Sequence, residues 1–291
     1  MAADHTSGGP TPSKLAPGLY VTATPIGNLG DITVRALEVL AATSVIAAED
    51  TRRTARLLAH HGLGTPMTPY HDHNAARALP GLIRRLKNGG SVALVSDAGT
   101  PLVSDPGYRL VEAAVAAGIP VHAVPGPSAV LAALAVAGLP TDRFFYGGFL
   151  PPRATARKRA LTEFAALEAT LVLFETARRL PGALADMVAV LGAREAAVCR
   201  ELTKRFEEVR RAPLDDLAAH YASAGAPKGE VVVVIAPPGP RPELGDDELD
   251  EYLRSALETC SSSRAAREVA ARTGIARKRA YERALVLTGE K

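Results

Sequence analysis

Residues 91–107, SVALVSDAGTPLVSDPG, decide how this chain folds. They open with an unbroken apolar run at residues 92–95, which turn-forming residues close at once. A run this short and bounded by turns is typical of a buried strand in a parallel sheet. A second turn signal follows at residues 104–107, and a helical pattern begins at Tyr108. The stretch therefore predicts a strand, a loop and a helix in that order.

Asp97 stands where the predicted strand ends. Ligands of open α/β sheets bind just beyond the carboxyl ends of strands, so Asp97 would offer a ligand a fixed carboxylate. Gly99 allows close approach of the backbone, and Pro101 restricts the turn. A turn in which Asp97 only caps backbone amides is the alternative interpretation.

The same pattern, an apolar run followed by a turn-forming loop, occurs twice more in the first half of the chain. Apolar runs at residues 19–23 and 121–124 lead into Gly/Pro loops at residues 24–28 and 125–128, and each loop opens a helix. Asp31 is expected to cap the helix after the first loop. This repetition predicts a parallel sheet with a ligand crevice along one edge. The first loop matches neither nucleotide-binding glycine motif, so a nucleoside triphosphate or dinucleotide is not indicated.

Composition places few further limits on function. The 291 residues carry a net charge of +3 and are 47% hydrophobic, which is ordinary for a soluble protein. The length favours two domains. The two widely spaced cysteines favour a reducing compartment, and we expect a cytoplasmic location. Residues 1–17 are expected to be a disordered tail without a signal peptide, and Gly and Pro interrupt the most apolar region, so no membrane partner is expected.

Charged side chains follow the second predicted strand. Glu49, Asp50, Arg52 and Arg53 stand together at its end, an arrangement that suits either a structural ion-pair network or contact with an anionic polymer. Residues 71–73, HDH, have no distant partner at ligand spacing, so no metal site is expected.

The second half predicts another α/β domain, residues 141–240, after an N-terminal domain at residues 18–140. Its aromatic stretch at residues 144–152 is either a buried strand or an apolar shelf for a flat ring. A basic cluster at residues 153–159 opens a helix, where cations oppose the helix dipole, so it indicates an external anion or a solvated face.

Residues 245–291 form a separate predicted unit. Three helical patterns follow one another with helix-turn-helix spacing. Between residues 264 and 283 seven basic residues stand against two glutamates. Such a module is typical of contact with a phosphate backbone, whereas a solvated tail is the alternative. The basic residues at the start of its last helix, expected to bind RNA, are Arg277, Lys278 and Arg279.

Several blocks now carry a family resemblance. LYVTATPIGNLGDITVRALEVL, AAEDTRRT, ALVSDAGTPLVSDPGY, VPGPSAVLAAL, GLPTDRFFYGGFLP and the FETARRL and ELTKRFEE blocks occur in the order seen in the bacterial 16S ribosomal RNA (cytidine 2′-O)-methyltransferases. The chain resembles this branch of the tetrapyrrole methylase superfamily over about residues 18–287. The resemblance implies two α/β domains, S-adenosylmethionine in the cleft between them, a small-subunit RNA partner and a homodimer.

The resemblance also implies which residues line the cofactor site. They are Pro25, Gly27, Asp97, Gly99, Thr100, Pro101, Ser128, Phe149 and Leu150. Tetrapyrrole enzymes usually read Gly-Asp-Pro where this chain reads Asp-Ala-Gly-Thr-Pro, and this departure favours RNA over a porphyrin as substrate.

A ribose hydroxyl is a weak acid, so a general base within hydrogen-bond reach would assist methyl transfer. The candidate catalytic residues are Glu49, Asp50 and Glu175. Arg52, Arg53 and Lys204 are expected to hold the flanking phosphates. The alternatives are a tetrapyrrole C-methyltransferase, which leaves the basic tail unexplained, and a non-catalytic RNA-binding protein, which leaves the cofactor loops unexplained.

Overall fold

The computed structural model describes residues 15–239 and 245–289. Most of the predicted tail at residues 1–17, and the ends of two predicted domains at residues 240 and 290–291, lie outside the described residues. The chain divides into two compact units, residues 1–237 and 238–291.

The larger unit begins with a sheet that is parallel throughout, as predicted. Its strands are β1 (Gly18–Thr22), β2 (Val45–Ala48), β3 (Met67–Pro69), β4 (Ser91–Val95) and β5 (Val121–Val124). They stand in the order β3-β2-β4-β1-β5, so β4 occupies the centre. The helices are α1 (Val34–Ala42), α2 (Thr51–His60), α3 (Ala75–Lys87), α4 (Tyr108–Ala116) and α5 (Ala129–Ala137). All five β4 residues are buried, as expected for a central strand.

The first helix starts later than the sequence suggests. Thr33, rather than Asp31, caps α1, because its side chain accepts a hydrogen bond from the backbone amide of Ala36. Asp31 instead closes a short 3-10 turn, Leu29–Asp31, that Asn28 caps. The chain thus makes an extra turn before the helix begins.

The second half folds into a separate, mixed sheet within the same unit. Its elements are β6 (Phe144–Phe149), α6 (Ala154–Phe164), β7 (Thr170–Thr176), α7 (Leu180–Leu191), β8 (Glu195–Arg200), β9 (Glu208–Pro213), α8 (Leu214–Ala224) and β10 (Glu230–Ile235). The order is β6-β7-β10-β8-β9; β6 and β7 run parallel, and the other pairings are antiparallel. The α/β class is confirmed. The domain boundary near residue 140, where the sheets change, stays a prediction.

A buried ion pair explains the basic cluster at the start of α6. Arg157 is buried, and its Nε donates to Oδ2 of Asp186 on α7 at 2.7 Å. Its Nη1 donates to the carbonyl oxygen of Pro152 at 3.2 Å, and Nζ of Lys158 lies 3.4 Å from Asp186. Of the four cations in this cluster, Arg157 and Lys158 therefore have a partner inside the fold. Neither the external-anion nor the solvated-face interpretation predicts this ion pair.

The smaller unit consists of three helices, α9 (Asp246–Leu257), α10 (Ser262–Thr273) and α11 (Arg277–Thr288). Its core contains Leu249, Leu253, Val269 and Ala284. Gly274 ends α10 in the left-handed conformation that favours glycine, so the turn before α11 is sharp. In the part of the chain that the structure describes, no helix is long and apolar enough to cross a membrane.

The Arg157–Asp186 pair yields a stability prediction. Replacing Arg157→Met leaves the buried Asp186 carboxylate with only the half-exposed Lys158 nearby, and we expect a loss of about 3 kcal/mol in the free energy of unfolding. Denaturant unfolding measures the loss. The matched control is Arg159→Met, an exposed cation of the same helix, and an equal effect of the two changes would contradict the assignment.

Candidate functional site

A cavity of about 420 Å³ opens where the carboxyl ends of the first sheet face residues of the second. Its wall includes Ile26, Glu49, Arg53, residues 97–100, residues 103–105, residues 128–130, Phe149, residues 174–177, Cys199, Leu202 and residues 229–232. The size suits one mid-sized ligand.

The loop after β4 holds together the loops that follow three other strands. Gly99 and Thr24 exchange two backbone hydrogen bonds of 2.9 Å, which join it to the loop after β1. The Thr100 hydroxyl donates to the carbonyl oxygen of Pro127 at 3.2 Å, in the loop after β5. Gly99 has a φ of +79°, where a side chain would be strained. The cavity floor is therefore largely backbone.

Carboxylates connect the same loop to the end of β2. Glu49 accepts a hydrogen bond from the amide of Asp97 at 3.1 Å, and Oδ1 of Asp97 accepts one from the amide of Asp50 at 3.0 Å. Oδ2 of Asp97 lies 3.5 Å from Nε of Arg53. The Asp97 carboxylate thus accepts a backbone hydrogen bond and also lines the cavity, so features of both interpretations occur in one residue. Burial raises the pKa of Glu49.

The two other candidate catalytic carboxylates have different surroundings. Asp50 caps α2 and receives hydrogen bonds from Arg52, which hold its pKa far below the usual range; it is not in the cavity wall. Glu175 lies in the wall and is only 2% exposed. Its Oε1 accepts hydrogen bonds from Arg179 and from the amide of Thr176, each 2.7 Å long, whereas its buried Oε2 has no hydrogen-bond partner among the described residues.

Asp105 is a cavity residue that sequence reasoning missed. Burial raises its pKa to about 6, and the nearby Glu49 and Asp97 charges add to the effect, against a hydrogen bond with Ser96. The loop that carries Asp105 also contains Leu102 and Ser104, both at positive φ. The SDPG sequence signals only a turn, and the folded neighbours show that the Asp105 carboxyl lies in the cavity wall.

An apolar wall faces the carboxylates. Phe149 is 54% exposed, and its ring packs edge-on against Phe174 at 5.4 Å. Ile26, Val103 and Leu202 extend this surface, and the buried Cys199 thiol, whose pKa burial raises to about 11, lies beside it. The aromatic stretch of the sequence therefore contributes one ring to an apolar shelf.

Five of the nine residues expected to line the cofactor site lie in the cavity wall. They are Asp97, Gly99, Thr100, Ser128 and Phe149. Pro25, Gly27 and Pro101 belong to the same loops without being in the wall, and Leu150 lies in the core beneath the second sheet. Ser128 also caps α5. Phe149 ends β6 and faces the cavity, whereas Leu150, directly after the strand, packs into the core.

The cations expected to bind RNA differ in their exposure and in their ion pairs with carboxylates of the protein. Arg53 lines the cavity, and Arg52 is 87% exposed although it pairs with Asp50. Lys204 is bound to two carboxylates. In the smaller unit Nη2 of Arg279 lies 2.9 Å from Asp246, and Lys278 has a long 3.9 Å contact with Glu282. Arg277 is exposed at the start of α11.

The cavity has the chemistry to bind a cationic ligand with a flat ring. Glu49, Asp97, Asp105, Glu175 and Glu230 contribute carboxylates to the wall, and Arg53 contributes a cation. The unpartnered Oε2 of Glu175 requires a hydrogen-bond donor, because a buried acceptor without one is costly. The aromatic shelf suits a ring, and the backbone floor suits a polar ligand of moderate size.

Comparison with known families agrees with this division of the chain. Residues 18–218 match the family described as Tetrapyrrole (Corrin/Porphyrin) Methylases. Residues 243–288 match the family described as RsmI C-terminal HTH domain. The first match includes both sheets except β10, and the second includes the three helices of the smaller unit.

Individual relatives are similar over most of their length. Ribosomal RNA small subunit methyltransferase I of Mesorhizobium japonicum is 51% identical over 274 residues, 94% of this chain and 93% of the relative. A uroporphyrin-III-C-methyltransferase structure from Thermus thermophilus has 25% identity and a TM-score of 0.53 over 75% of this chain and 94% of its own. A uroporphyrin-III C-methyltransferase structure from the same organism, complexed with S-adenosyl homocysteine, has 20% identity and a TM-score of 0.52 over 75% and 96%.

The raised pKa of Asp105 predicts a pH dependence of stability. The folded state binds this proton more tightly than the unfolded chain, so ionising Asp105 lowers stability as the pH rises from about 4 to about 6. Replacing Asp105→Asn should raise the unfolding midpoint at pH 8, and the gain should disappear near pH 4. Thermal unfolding at both pH values, with the exposed Asp142→Asn as the control, measures this difference; a gain independent of pH would refute the cause given.

Proposed function

The chain belongs to the tetrapyrrole (corrin/porphyrin) methylase family, and from that premise we propose that it methylates the 2′-hydroxyl of a cytidine in small-subunit 16S ribosomal RNA. It is an S-adenosylmethionine-dependent methyltransferase of this family. The acceptor is the proposed part. The relatives with 43–51% identity named as ribosomal RNA small subunit methyltransferase I support an RNA acceptor.

The single structural observation that carries the proposed reaction is the carboxylate-lined cavity with its aromatic shelf, which suits the methyl donor, whereas the RNA acceptor is supported by the relatives. S-adenosylmethionine supplies an electrophilic methyl group on a positively charged sulfonium. Phe149 and Phe174 offer an apolar surface for a ring, and the Gly99–Thr100 backbone offers polar groups without side-chain bulk. Glu175 offers an unpartnered oxygen to a hydroxyl or ammonium donor. The residues present therefore fit this cofactor.

The rim of the cavity can hold an RNA strand. Arg53 faces the cavity with 61% of its side chain exposed, so its guanidinium can reach a phosphate without losing its place beside Asp97. Arg52 adds an exposed cation on the same helix.

The smaller unit offers cations of its own. Arg277 and Lys278 are exposed on the first turn of α11, where the helix dipole does not stabilise cations, so both are available to phosphates.

Among the candidate carboxylates, we assign to Glu49 the removal of the proton from the ribose 2′-hydroxyl. It lines the cavity, and its raised pKa makes it a better base than an ordinary glutamate. Asp50 is a poor base because Arg52 stabilises its charge. Glu175 is better suited to holding a donor group, since Arg179 and its own turn fix its other oxygen. Positioning the hydroxyl in line with the methyl group supplies the remaining rate enhancement.

Two broader features belong to the same proposal. A substrate in the small ribosomal subunit favours a cytoplasmic location. Homodimerisation, implied by the family resemblance, stays a proposal, and the mass of the protein in solution tests it.

The acceptor is tested by methyl transfer from labelled S-adenosylmethionine. We expect label in one cytidine ribose when small ribosomal subunits are offered, and none in a tetrapyrrole offered in parallel. Label is located by nuclease digestion and mass analysis. Label confined to the tetrapyrrole would overturn the RNA assignment and favour the porphyrin branch of the family, whereas no label in either acceptor together with RNA binding would favour a non-catalytic protein.

The carboxylate roles are tested by isosteric amides. Glu49→Gln should lower kcat by roughly 100-fold or more and remove the acidic limb of the pH–rate profile, because the base is lost while the hydrogen bond to the Asp97 amide is kept. Glu175→Gln should mainly raise KM for S-adenosylmethionine. Asp50→Asn is the matched control at the neighbouring position. An unchanged kcat and pH profile in Glu49→Gln would exclude Glu49 as the base.

A further inference from the structure

The side chain of Lys204 lies across a glycine in a loop of the first sheet. Its side chain crosses Gly27, in the loop after β1, so closely that a Cβ placed on Gly27 would be 2.4 Å from Cγ of Lys204 and 2.6 Å from its Cε. No methyl group fits there unless the lysine moves. The contact joins a loop of the first sheet to a turn of the second.

The ammonium group of Lys204 is held at the other end. Nζ donates to Oε1 of Glu201 at 3.0 Å and to Oε2 of Glu230 at 2.8 Å. Burial opposes the charge, but these two carboxylates more than compensate and raise the pKa of Lys204. The same Oε1 of Glu201 accepts a hydrogen bond from the Glu230 amide at 2.9 Å. The cation is thus committed to partners within the protein.

The turn that carries Lys204 is strained. Glu201 has a φ of +52° and Thr203 a φ of +64°, a region that residues other than glycine seldom adopt. Gly229 permits this shape, because a Cβ there would lie 2.4 Å from the Glu201 carboxylate. Strain of this kind persists only where surrounding contacts determine the conformation, and it concentrates at functional sites.

Lys204 and Gly27 lie outside the cavity wall, but residues next to both of them belong to it. Ile26 precedes Gly27, Leu202 stands two residues before Lys204, and Glu230 binds its ammonium. Ile26 and Leu202 also share one apolar cluster. A shift of the lysine would therefore move both walls of the cavity at one corner.

We propose that Lys204 is a positioning residue that fastens the Gly27 loop to the 201–207 turn and so sets the width of the cofactor cavity. This rests on the proposed function, because it takes the cavity to be the S-adenosylmethionine site. It replaces the expectation that Lys204 holds an RNA phosphate: a cation that already binds two carboxylates gains little from a third anion. The lysine stem supplies the packing against Gly27, and its charge keeps Glu201 and Glu230 together.

Binding of S-adenosylhomocysteine, measured calorimetrically on the full chain without RNA, separates the two roles. Lys204→Met keeps most of the stem but removes the charge, and Lys204→Ala removes both. We expect weaker binding in both variants, roughly tenfold for Lys204→Ala. Affinity for small ribosomal subunits should keep its dependence on salt, whereas loss of a phosphate contact would reduce that slope by about one. Arg205→Met, an exposed cation at the next position, is the matched control for cofactor binding.

A double-mutant cycle tests the contact itself. Gly27→Ala should weaken S-adenosylhomocysteine binding in the wild-type background but cost little more in Lys204→Ala, because the colliding stem is then absent. Thermal unfolding confirms that each variant is folded.

Equal costs of Gly27→Ala in both backgrounds, or unchanged cofactor affinity with a reduced salt slope in Lys204→Met, would overturn the proposal. If the wild-type chain bound no S-adenosylhomocysteine, the proposed function would itself fail, and this inference with it.

Discussion

The hydrogen bonds of the loop after β4 are the constraint on which the site depends. Gly99 pairs with Thr24, Thr100 reaches Pro127, and the Asp97 amide and carboxylate bind the end of β2. Because β4 is the central strand, its loop is the one that can reach the others. Each bond engages a backbone amide or carbonyl just beyond a strand end, so the loops are fixed largely through the backbone.

The pKa values and hydrogen-bond partners of the carboxylates in and beside the cavity depend on their surroundings. Asp50 and Glu49 are adjacent, yet Arg52 lowers the pKa of one and burial raises that of the other. Asp105 is shifted further, since it is buried near two carboxylates. Glu175 is held by one oxygen and leaves the other without a partner. One type of functional group therefore serves as a helix cap beside the cavity and, in the cavity wall, as a carboxyl of raised pKa and as an unpartnered hydrogen-bond acceptor.

The sequence predicts best where the physical signal is local. The strands at residues 91–95 and 121–124 were identifiable because continuous apolar runs end abruptly in turn residues. The edge strand β9 was missed, since its exposed Arg210 and Arg211 interrupt any apolar alternation. Arg157 looked available for an external anion because Asp186 stands 29 residues away. Asp105 was missed for a similar reason: the neighbours that bury it come from other loops.

The sequence alone determined the α/β class, the parallel first sheet and the basic helical unit, because local residue patterns predict each of them. It also determined the family, because several characteristic blocks of residues occur in the same order. Only the tertiary structure decided which charged groups are committed to one another. From the sequence, Lys204 and Arg157 look like free cations, yet each pairs with a carboxylate from a distant segment, Glu230 and Asp186 respectively. Which loop residues line the cavity depends on how the strands stand in the sheet and on which side each side chain points. Burial and pairing are properties of the folded chain, and they give side chains with the same carboxyl group different pKa values.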